Sequence, residues 1–338
     1  MFSLMAASAF GQQTISGISK QNMDLSAKPG KDFYEYSAGG WMKAHPLTPE
    51  YTRFGQFDQL HENNQAQVRE LIEDLAKHPQ AKGTLGQKIG SLYNLAMDSV
   101  RRNREGIAPL RPVLAKVRDI KSKKDYQLVV AQLDRKGAAA MMFDFGISAD
   151  IRNAAMNLVN ISQGGISLGE RDYYLNDDST TVKVRNAYKA YIKKLFTMVG
   201  DDQSTAEKKM QAVMAIETQI AKASYSATQL RDVEGNYHKM SYTQLLKDFP
   251  GIDWEATRTA LGFPTFQDVT VNQIEPLHEV EKILNDYTLD DLKAYAEFKV
   301  IDAAANALDD NFRAASFDFY SKTMSGAQQD RPRWKRAV

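Results

Sequence analysis

Apolar residues recur at three- and four-residue intervals over most of this chain, which is the spacing of amphipathic helices. Residues 57–77 carry such a stripe, formed by Leu60, Val68, Leu71, Ile72 and Leu75, and His78 and Pro79 end the run. Further helices are predicted after Thr84, Ser122, Ser204, Asp253 and Thr288, and over residues 184–199. The pattern predicts a mainly α-helical protein.

The helical spacing breaks between Met141 and Ser162. Met141, Phe143 and Phe145 alternate with other residues, as do Met156 and Leu158, and a polar joint separates the two runs. Alternation with a period of two indicates strands, so this stretch predicts a small β-hairpin inserted in the helical protein. Residues Val269, Val271 and Ile274 predict one more strand.

Composition narrows the classes of function. The chain has 338 residues, with 43 basic and 42 acidic side chains and no cysteine. A length of this order predicts about two domains or one large elongated one. Balanced charge argues against a nucleic-acid partner, and no apolar run approaches the roughly 20 residues of a membrane span. We therefore expect a soluble protein without disulfides or thiolate chemistry.

The first residues suggest export. Residues 4–11 read L-M-A-A-S-A-F-G, and the small residues Ala7 and Ala9 flank Ser8 as they do at the end of a secretory signal peptide. The alternative is a frayed terminus. We interpret residues 1–20 as a signal-peptide remnant and disordered lead, and predict a secreted or periplasmic protein.

No catalytic or metal-binding residue can be assigned from motifs. The five histidines are not paired at the spacing that places two imidazoles on one helical face, and H-E-x-x-H does not occur. Nucleophile and nucleotide-binding motifs are also missing from the sequence. Acidic pairs stand at predicted helix ends, where anionic side chains either interact favourably with the amino-terminal helix dipole or simply face water. These pairs are Asp177–Asp178, Asp201–Asp202 and Asp309–Asp310.

The most distinctive stretch covers residues 28–63. Four aromatic residues, Phe33, Tyr34, Tyr36 and Trp41, fall within nine positions around Gly39 and Gly40. We expect a short helix over residues 32–36 that these glycines terminate, because glycine readily adopts the left-handed conformation that closes a helix. Two prolines then predict an extended passage before R-F-G-Q-F-D opens the next helix.

Arg53, within that last motif, is the candidate ligand-binding residue. A guanidinium can hold a carboxylate through two parallel hydrogen bonds, so Arg53 could grip the free carboxyl terminus of a peptide. The competing interpretation is an ordinary ion pair with Glu50 or Asp58. The residues alone leave both interpretations open.

The order of several motifs resembles one protein family. D-F-Y-x-Y-x-x-G-G-W followed by R-F-G-x-F-D is similar to the amino-terminal signature of the neprilysin and endothelin-converting-enzyme family of zinc metalloendopeptidases. Later segments continue the resemblance, which is nearest to bacterial members of the oligopeptidase O type. These are residues 143–146 (F-D-F-G), 168–175 (L-G-E-R-D-Y-Y-L), 236–240 (N-Y-H-K-M), 317–320 (F-D-F-Y), 323–326 (T-M-S-G) and 331–334 (R-P-R-W).

The resemblance implies a cavity-forming, multi-helix amino-terminal region that restricts a catalytic chamber to short peptides. It implies that residues 21–63 contact a carboxy-terminal catalytic domain of the same protein, and that residues 64–338 form the helical domain. That catalytic domain would bind the zinc, so no cofactor is expected on this chain. The resemblance also implies that Arg53 contacts the primed side of the peptide substrate. In neprilysin a second arginine also contacts the carboxylate, and His61 stands near that position here. The resemblance therefore implies that the contribution of His61 to carboxylate binding is weaker than that of an arginine, or pH-dependent.

Three hypotheses follow. The first is the substrate-restricting part of a secreted zinc metalloendopeptidase, inactive alone. The second is a non-enzymatic helical peptide-binding module that retains the family scaffold. The third, an unrelated helical solenoid, requires the opening signature to be coincidence. The coding sequence after Val338 separates the first two, because an open frame with H-E-x-x-H supports the enzyme and a stop codon supports the module.

Overall fold

The computed structural model describes residues 18–78 and 80–338. They belong to two compact units, one ending at Val68 and the other running from Arg69 to Val338. Most described residues outside the loops are helical, which confirms the mainly α-helical prediction. Residues 1–17, which hold most of the predicted lead, lie outside the described residues.

The first unit consists of a 3₁₀ turn at Lys20–Asn22, helix α1 (Phe33–Ala44) and the start of α2 (Gln56–Lys77). The prediction that Gly39 and Gly40 terminate α1 is wrong, since the helix continues through both. A Cβ atom on Gly40 would lie 2.4 Å from the carbonyl oxygen of Gln21 and 2.7 Å from that of Met23. The glycine therefore permits close approach of the preceding turn to the helix.

The second unit contains thirteen further α-helices, one π-helix and four strands among the residues that the structure describes. In chain order they are α3 (Leu85–Met97), α4 (Ser99–Glu105), α5 (Arg111–Arg118), α6 (Lys123–Asp134), β1 (Phe143–Asp150), β2 (Asn153–Gln163), α7 (Asp172–Leu175), α8 (Ser179–Met198), α9 (Gln203–Ala223), β3 (His238–Ser241), α10 (Tyr242–Asp248), α11 (Trp254–Leu261), β4 (Asp268–Val271), α12 (Ile274–Asp286), α13 (Leu289–Ala305), α14 (Asp310–Ser316), the π-helix Phe317–Met324 and α15 (Arg333–Ala337).

Side-chain caps determine where most of these helices begin. Thr84, Ser122, Asp253 and Thr288 each accept a hydrogen bond from a backbone amide of the first turn, as the sequence predicts. The predicted start of α9 at Ser204 is wrong, because Asp202 accepts the hydrogen bond from the amide of Thr205. Asp178 and Asp309 cap α8 and α14, in line with the predicted role of the acidic pairs.

The strands form one small sheet with the order β1-β2-β4-β3. Strands β1 and β2 are the predicted antiparallel hairpin, β4 runs parallel to β2, and β3 is antiparallel to β4. The predicted strand at Val269 and Val271 is confirmed, whereas Ile274 begins α12 and does not extend the strand. Strand β3 was not predicted, since four residues are too few to establish an alternating pattern.

Helix α13 lies in the core of the second unit and packs against α5, α6, α8, α9 and α14. Its residues 294–301 are all buried, including the charged Glu297 and Lys299. Arg118 and Lys209 donate to the carboxylate of Glu297, and the ammonium of Lys299 donates to the hydroxyl of Ser167 at 3.0 Å. Buried charges that are paired in this way avoid the cost of an unsatisfied ion.

The loop that follows β2 is fixed by a buried carboxylate on α9. Glu217 is fully buried and accepts hydrogen bonds from Ser167, Tyr174 and Tyr188 at 2.7–2.8 Å. Burial raises the pKa of Glu217. The hydroxyl of Tyr295 on α13 also donates to the carbonyl of Gly165 at 2.7 Å, so the loop is held from two helices.

Replacing Gly165 with Ala should test this packing. Gly165 has φ +89°, and an added Cβ would lie 2.9 Å from the Cα of Met142, so both strain and overlap oppose the side chain. We expect Gly165→Ala to lower the free energy of unfolding by roughly 2–4 kcal/mol in urea denaturation.

Gly169→Ala is the matched control. Gly169 has φ +80° but no heavy atom within 4 Å of an added Cβ, so only the backbone strain of about 1 kcal/mol should remain. Equal losses of stability in the two variants would contradict the close packing at Gly165.

Candidate functional site

The first unit has almost no core of its own. Among its described residues, 18–68, Gly39 alone is buried. Seven of its large apolar side chains are instead exposed, and Phe57 is 88% accessible. The exposed set is Ile18, Leu25, Phe33, Tyr34, Leu47, Phe57 and Leu60. This number of exposed large apolar side chains makes the first unit a candidate binding surface.

Helix α2 shows the same property along its length. The predicted helix is confirmed over Gln56–Lys77, but none of its residues is buried. Leu60 and Leu71, two members of the predicted apolar stripe, are 65% and 67% accessible. Val68, Ile72 and Leu75, the other three members, are half-buried, so the stripe is only partly covered.

Aromatic stacking orders the backbone that carries Arg53. The ring of Trp41 stacks on His45 at 4.4 Å and on Phe54 at 6.1 Å, with interplanar angles of 15° and 13°. Tyr51 meets Phe54 edge to face at 5.0 Å. Since Tyr51 and Phe54 lie on either side of Arg53 in the chain, these contacts restrain its main chain.

Arg53 is exposed, and within the described part of the chain no hydrogen bond or ion pair engages its guanidinium. The alternative ion pair with Glu50 or Asp58 is not formed. Asp58 instead accepts a hydrogen bond from the amide of Gly55 at 2.8 Å, at the start of α2. The donors of Arg53 therefore remain available for an anionic ligand.

His61 lies in the second turn of α2 and is also exposed. It is four residues from Phe57, so the two side chains occupy neighbouring positions on one helical face. Arg53 and His61 thus lie in the same unit, on consecutive segments of the chain.

The zinc that the family uses does not fit the residues described here. Over residues 18–78 and 80–338, no group of three or more histidine, aspartate or glutamate side chains could hold a metal ion. His238 and His278 have structural contacts instead, with the carbonyl of Val271 and the carboxylate of Glu281, both at 3.0 Å. We assign no step through zinc to this chain.

A polar cavity in the second unit escaped the sequence analysis. It measures about 450 Å³, and its lining includes Asp134 from α6, Asp144 from β1 and Lys299 from α13. Burial raises the pKa of both aspartates, the charge of Asp144 raises that of Asp134 further, and Lys299 opposes both shifts. No motif could have identified the group, because three separate elements supply its members.

Removing one of these carboxylates should change the titration of the other. In Asp144→Asn the pKa of Asp134 should fall towards its ordinary value, because one of the charges that disfavour its ionisation is gone. Carboxyl ¹³C chemical shifts followed from pH 2 to pH 7 measure this change. Asp119→Asn, at an exposed position outside the cavity, is the control. An unchanged Asp134 titration in Asp144→Asn would show that the two carboxylates do not interact.

No helix in the part of the chain that the structure describes combines the length and apolar character needed to cross a membrane.

Comparison with known proteins supports the resemblance in sequence and in fold. A sequence profile described as Peptidase family M13 matches residues 29–338. Endothelin-converting enzyme 1 of Rattus norvegicus is 27% identical over 332 residues, which cover 94% of this chain and 42% of the rat enzyme.

Solved structures agree with this assignment. Zinc metalloprotease Zmp1 of Mycobacterium tuberculosis, crystallised with an inhibitor, superposes with a TM-score of 0.90 and 29% identity over 95% of this chain and 49% of that one. PepO from Lactobacillus rhamnosis HN001 shares the fold, with a TM-score of 0.72 and 17% identity over 94% of this chain and 49% of that one.

The chain spans somewhat less than half the length of these relatives. The family profile that it matches describes the amino-terminal region. The family predicted from the opening motifs is therefore confirmed: the chain belongs to Peptidase family M13, a family of zinc metallopeptidases, and corresponds to its amino-terminal region.

Proposed function

We propose that this chain is the substrate-restricting, amino-terminal part of a zinc metalloendopeptidase that hydrolyses short peptides. The observation that carries the proposal is the uncovered apolar surface of the first unit, which holds an exposed and unpaired Arg53. The zinc and the residues that act on the scissile bond are assigned to a carboxy-terminal catalytic domain of the same protein.

Residues 21–63 form the contact with that domain in this proposal. Exposed apolar side chains such as Phe33, Phe57 and Leu60 gain stability when a partner removes them from water. The M13 relatives are more than twice as long as the region matched here, so a partner of sufficient size is available within one polypeptide. Residues 64–338 then serve as the helical domain that limits access to short peptides.

Arg53 acts on the substrate and not on the bond that breaks. A bidentate pair between its guanidinium and the terminal carboxylate fixes the orientation of a peptide, and the stacked aromatic segment keeps the arginine in place. His61 supplies a further hydrogen-bond donor to this subsite in the proposal.

A second candidate is a non-enzymatic, peptide-binding helical module. The core of the second unit around α13 favours it, because the buried Glu297 and Lys299 find their partners within that unit. The coding sequence after Val338 distinguishes the two functions, as a stop codon there would leave only the module.

We also propose that the protein is secreted or periplasmic, on the basis of residues 4–11. Those residues lie outside the described part of the structure. Amino-terminal sequencing of the exported protein should find this apolar segment removed, and recovery of the intact segment from the cytoplasm would contradict the proposal.

The Arg53→Met variant of the full-length enzyme tests the role of the guanidinium. For peptides with a free carboxyl terminus we expect KM to rise about tenfold or more with little change in kcat, because the lost contact binds substrate and transition state alike. Peptides with an amidated carboxyl terminus should be little affected, since they carry no terminal charge. Initial-rate kinetics on a matched pair of peptides provide the measurement.

Arg104→Met is the control, because Arg104 is an exposed arginine on α4, outside the first unit. In His61→Ala the preference for the free carboxyl terminus should weaken, because the subsite loses the hydrogen-bond donor of the imidazole ring. Equal effects of Arg53→Met on both peptides would remove the carboxylate assignment.

A further inference from the structure

The polar cavity of the second unit has the size and the charges of a site for a small molecule. Its volume of about 450 Å³ is large enough for an organic ligand of a few residues. Among the described residues that line it, the charged ones are Asp134, Asp144 and Lys299. The remaining lining consists of apolar residues, glycines and neutral polar residues.

The neutral polar side chains of the lining are already engaged within the protein. Their partners are main-chain groups and amide side chains of neighbouring segments, at 2.7–3.3 Å. These side chains are Ser162, Gln163, Ser224 and Gln273. Recognition of a ligand therefore falls mainly to the three charged residues.

Lys299 brings a buried cation to the cavity wall. The residue is 9% accessible, and its ammonium donates to the hydroxyl of Ser167 at 3.0 Å and to the carbonyl of Gly165 at 3.5 Å. Glu217 is one hydroxyl further away, since it accepts from Ser167, and no described carboxylate lies within 4.0 Å of the ammonium itself. An ammonium has three donors, so one donor of this buried cation remains for a group inside the cavity.

The two aspartates also lack a counter-ion. Asp134 is the last residue of α6, where the negative end of the helix dipole disfavours an anion. Asp144 lies against Gly164, at which an added Cβ would be 3.0 Å from a carboxylate oxygen. Within the described ranges neither aspartate has a cationic nitrogen within 4.0 Å. A positive charge placed in the cavity would therefore stabilise both carboxylates.

Charges just outside the lining do not reverse this balance. Arg171 donates to a main-chain carbonyl at 2.6 Å and lies 3.8 Å from Asp172, so it has an anionic partner of its own. Glu217 and Asp302 are both close enough for the charge of Lys299 to lower their pKa values, and they add negative charge to the surroundings.

We propose that the polar cavity binds a small zwitterion of the amino acid or dipeptide class. The ammonium group of the ligand binds Asp134 and Asp144, and its carboxylate accepts a hydrogen bond from Lys299. Two carboxylates against one ammonium in the lining make the cavity unfavourable for a plain anion. The inference goes beyond the proposed function, because the cavity belongs to the second unit, Arg53 belongs to the first, and binding needs no catalytic domain.

Glycine-selective ¹⁵N labelling of the 338-residue chain detects the binding, because Gly164, Gly165 and Gly169 line the cavity. Millimolar L-alanine and L-alanyl-L-alanine are the probes. We expect the amide signals of these three glycines to shift, and the probe with the lower Kd identifies which of the two ligand types the cavity prefers. Gly200, which follows α8 and lies outside the lining, is the internal control and should not shift.

Blocked forms of the dipeptide test each charge on the unaltered chain. The Nα-acetyl dipeptide has no ammonium group, and the dipeptide amide has no carboxylate. We expect the Kd of each to be at least about tenfold higher than that of L-alanyl-L-alanine, because each loses a charge-assisted hydrogen bond. The amide tests Lys299 without a variant, which matters because Lys299→Met removes a core residue and risks unfolding the protein.

The Asp144→Asn variant tests the ammonium site. It should raise the Kd of L-alanyl-L-alanine about tenfold and remove most of the difference between this dipeptide and its acetylated form. Asp119→Asn, at an exposed position outside the cavity, should change the Kd less than about twofold.

Four results would overturn the inference. The first is the absence of a shift at the three lining glycines with either probe, and the second is an unchanged Kd in Asp144→Asn. Equal binding of the dipeptide amide would instead indicate a site for a plain amine, and equal binding of the acetylated dipeptide a site for a plain anion. Peptide hydrolysis by a longer protein bears only on the proposed function, so the two proposals fail separately.

Discussion

The two units differ in how many of their apolar side chains are buried, and the rest of the interpretation depends on this difference. The second unit encloses an extensive core, whereas the described residues of the first unit bury only Gly39. Each large apolar side chain left in water forgoes about 1.5–3 kcal/mol of stabilisation. A segment that carries seven such side chains gains stability when a partner surface covers them, which is the reason for the domain contact that we propose.

The second unit explains how a helical body can stay rigid while it carries charged groups inside. Glu217 accepts hydrogen bonds from three hydroxyl groups, and Glu297 forms ion pairs with two cations. Asp302 accepts hydrogen bonds from Tyr191 and Tyr320 at 2.6 and 2.8 Å. Each carboxylate links elements that are far apart in sequence, so the polar network fixes the arrangement of helices around α13. Such a framework suits the substrate-restricting role that we propose for this unit.

The sequence predicted the helices and strands better than the contacts that surround them. Periodicity and caps located α2, α3, α6, α11 and α13, because these signals are local. The glycine pair in α1 was misread, since glycine serves both to end a helix and to admit a neighbouring chain, and only the fold decides which. Strand β3 and the π-helix carry no distinctive pattern. The exposure of Arg53 and the cavity lined by Asp144 and Lys299 depend on contacts between distant residues, which periodicity does not encode.

The central claim is that residues 21–63 are completed by a second half of the protein. Hydrogen–deuterium exchange of the amides in α1 and in the first turns of α2 measures this directly, in the 338-residue chain and in the protein translated past Val338. The account predicts fast exchange in the shorter chain and protection of at least about a hundredfold in the longer one. Equal protection of these amides in both proteins would contradict it.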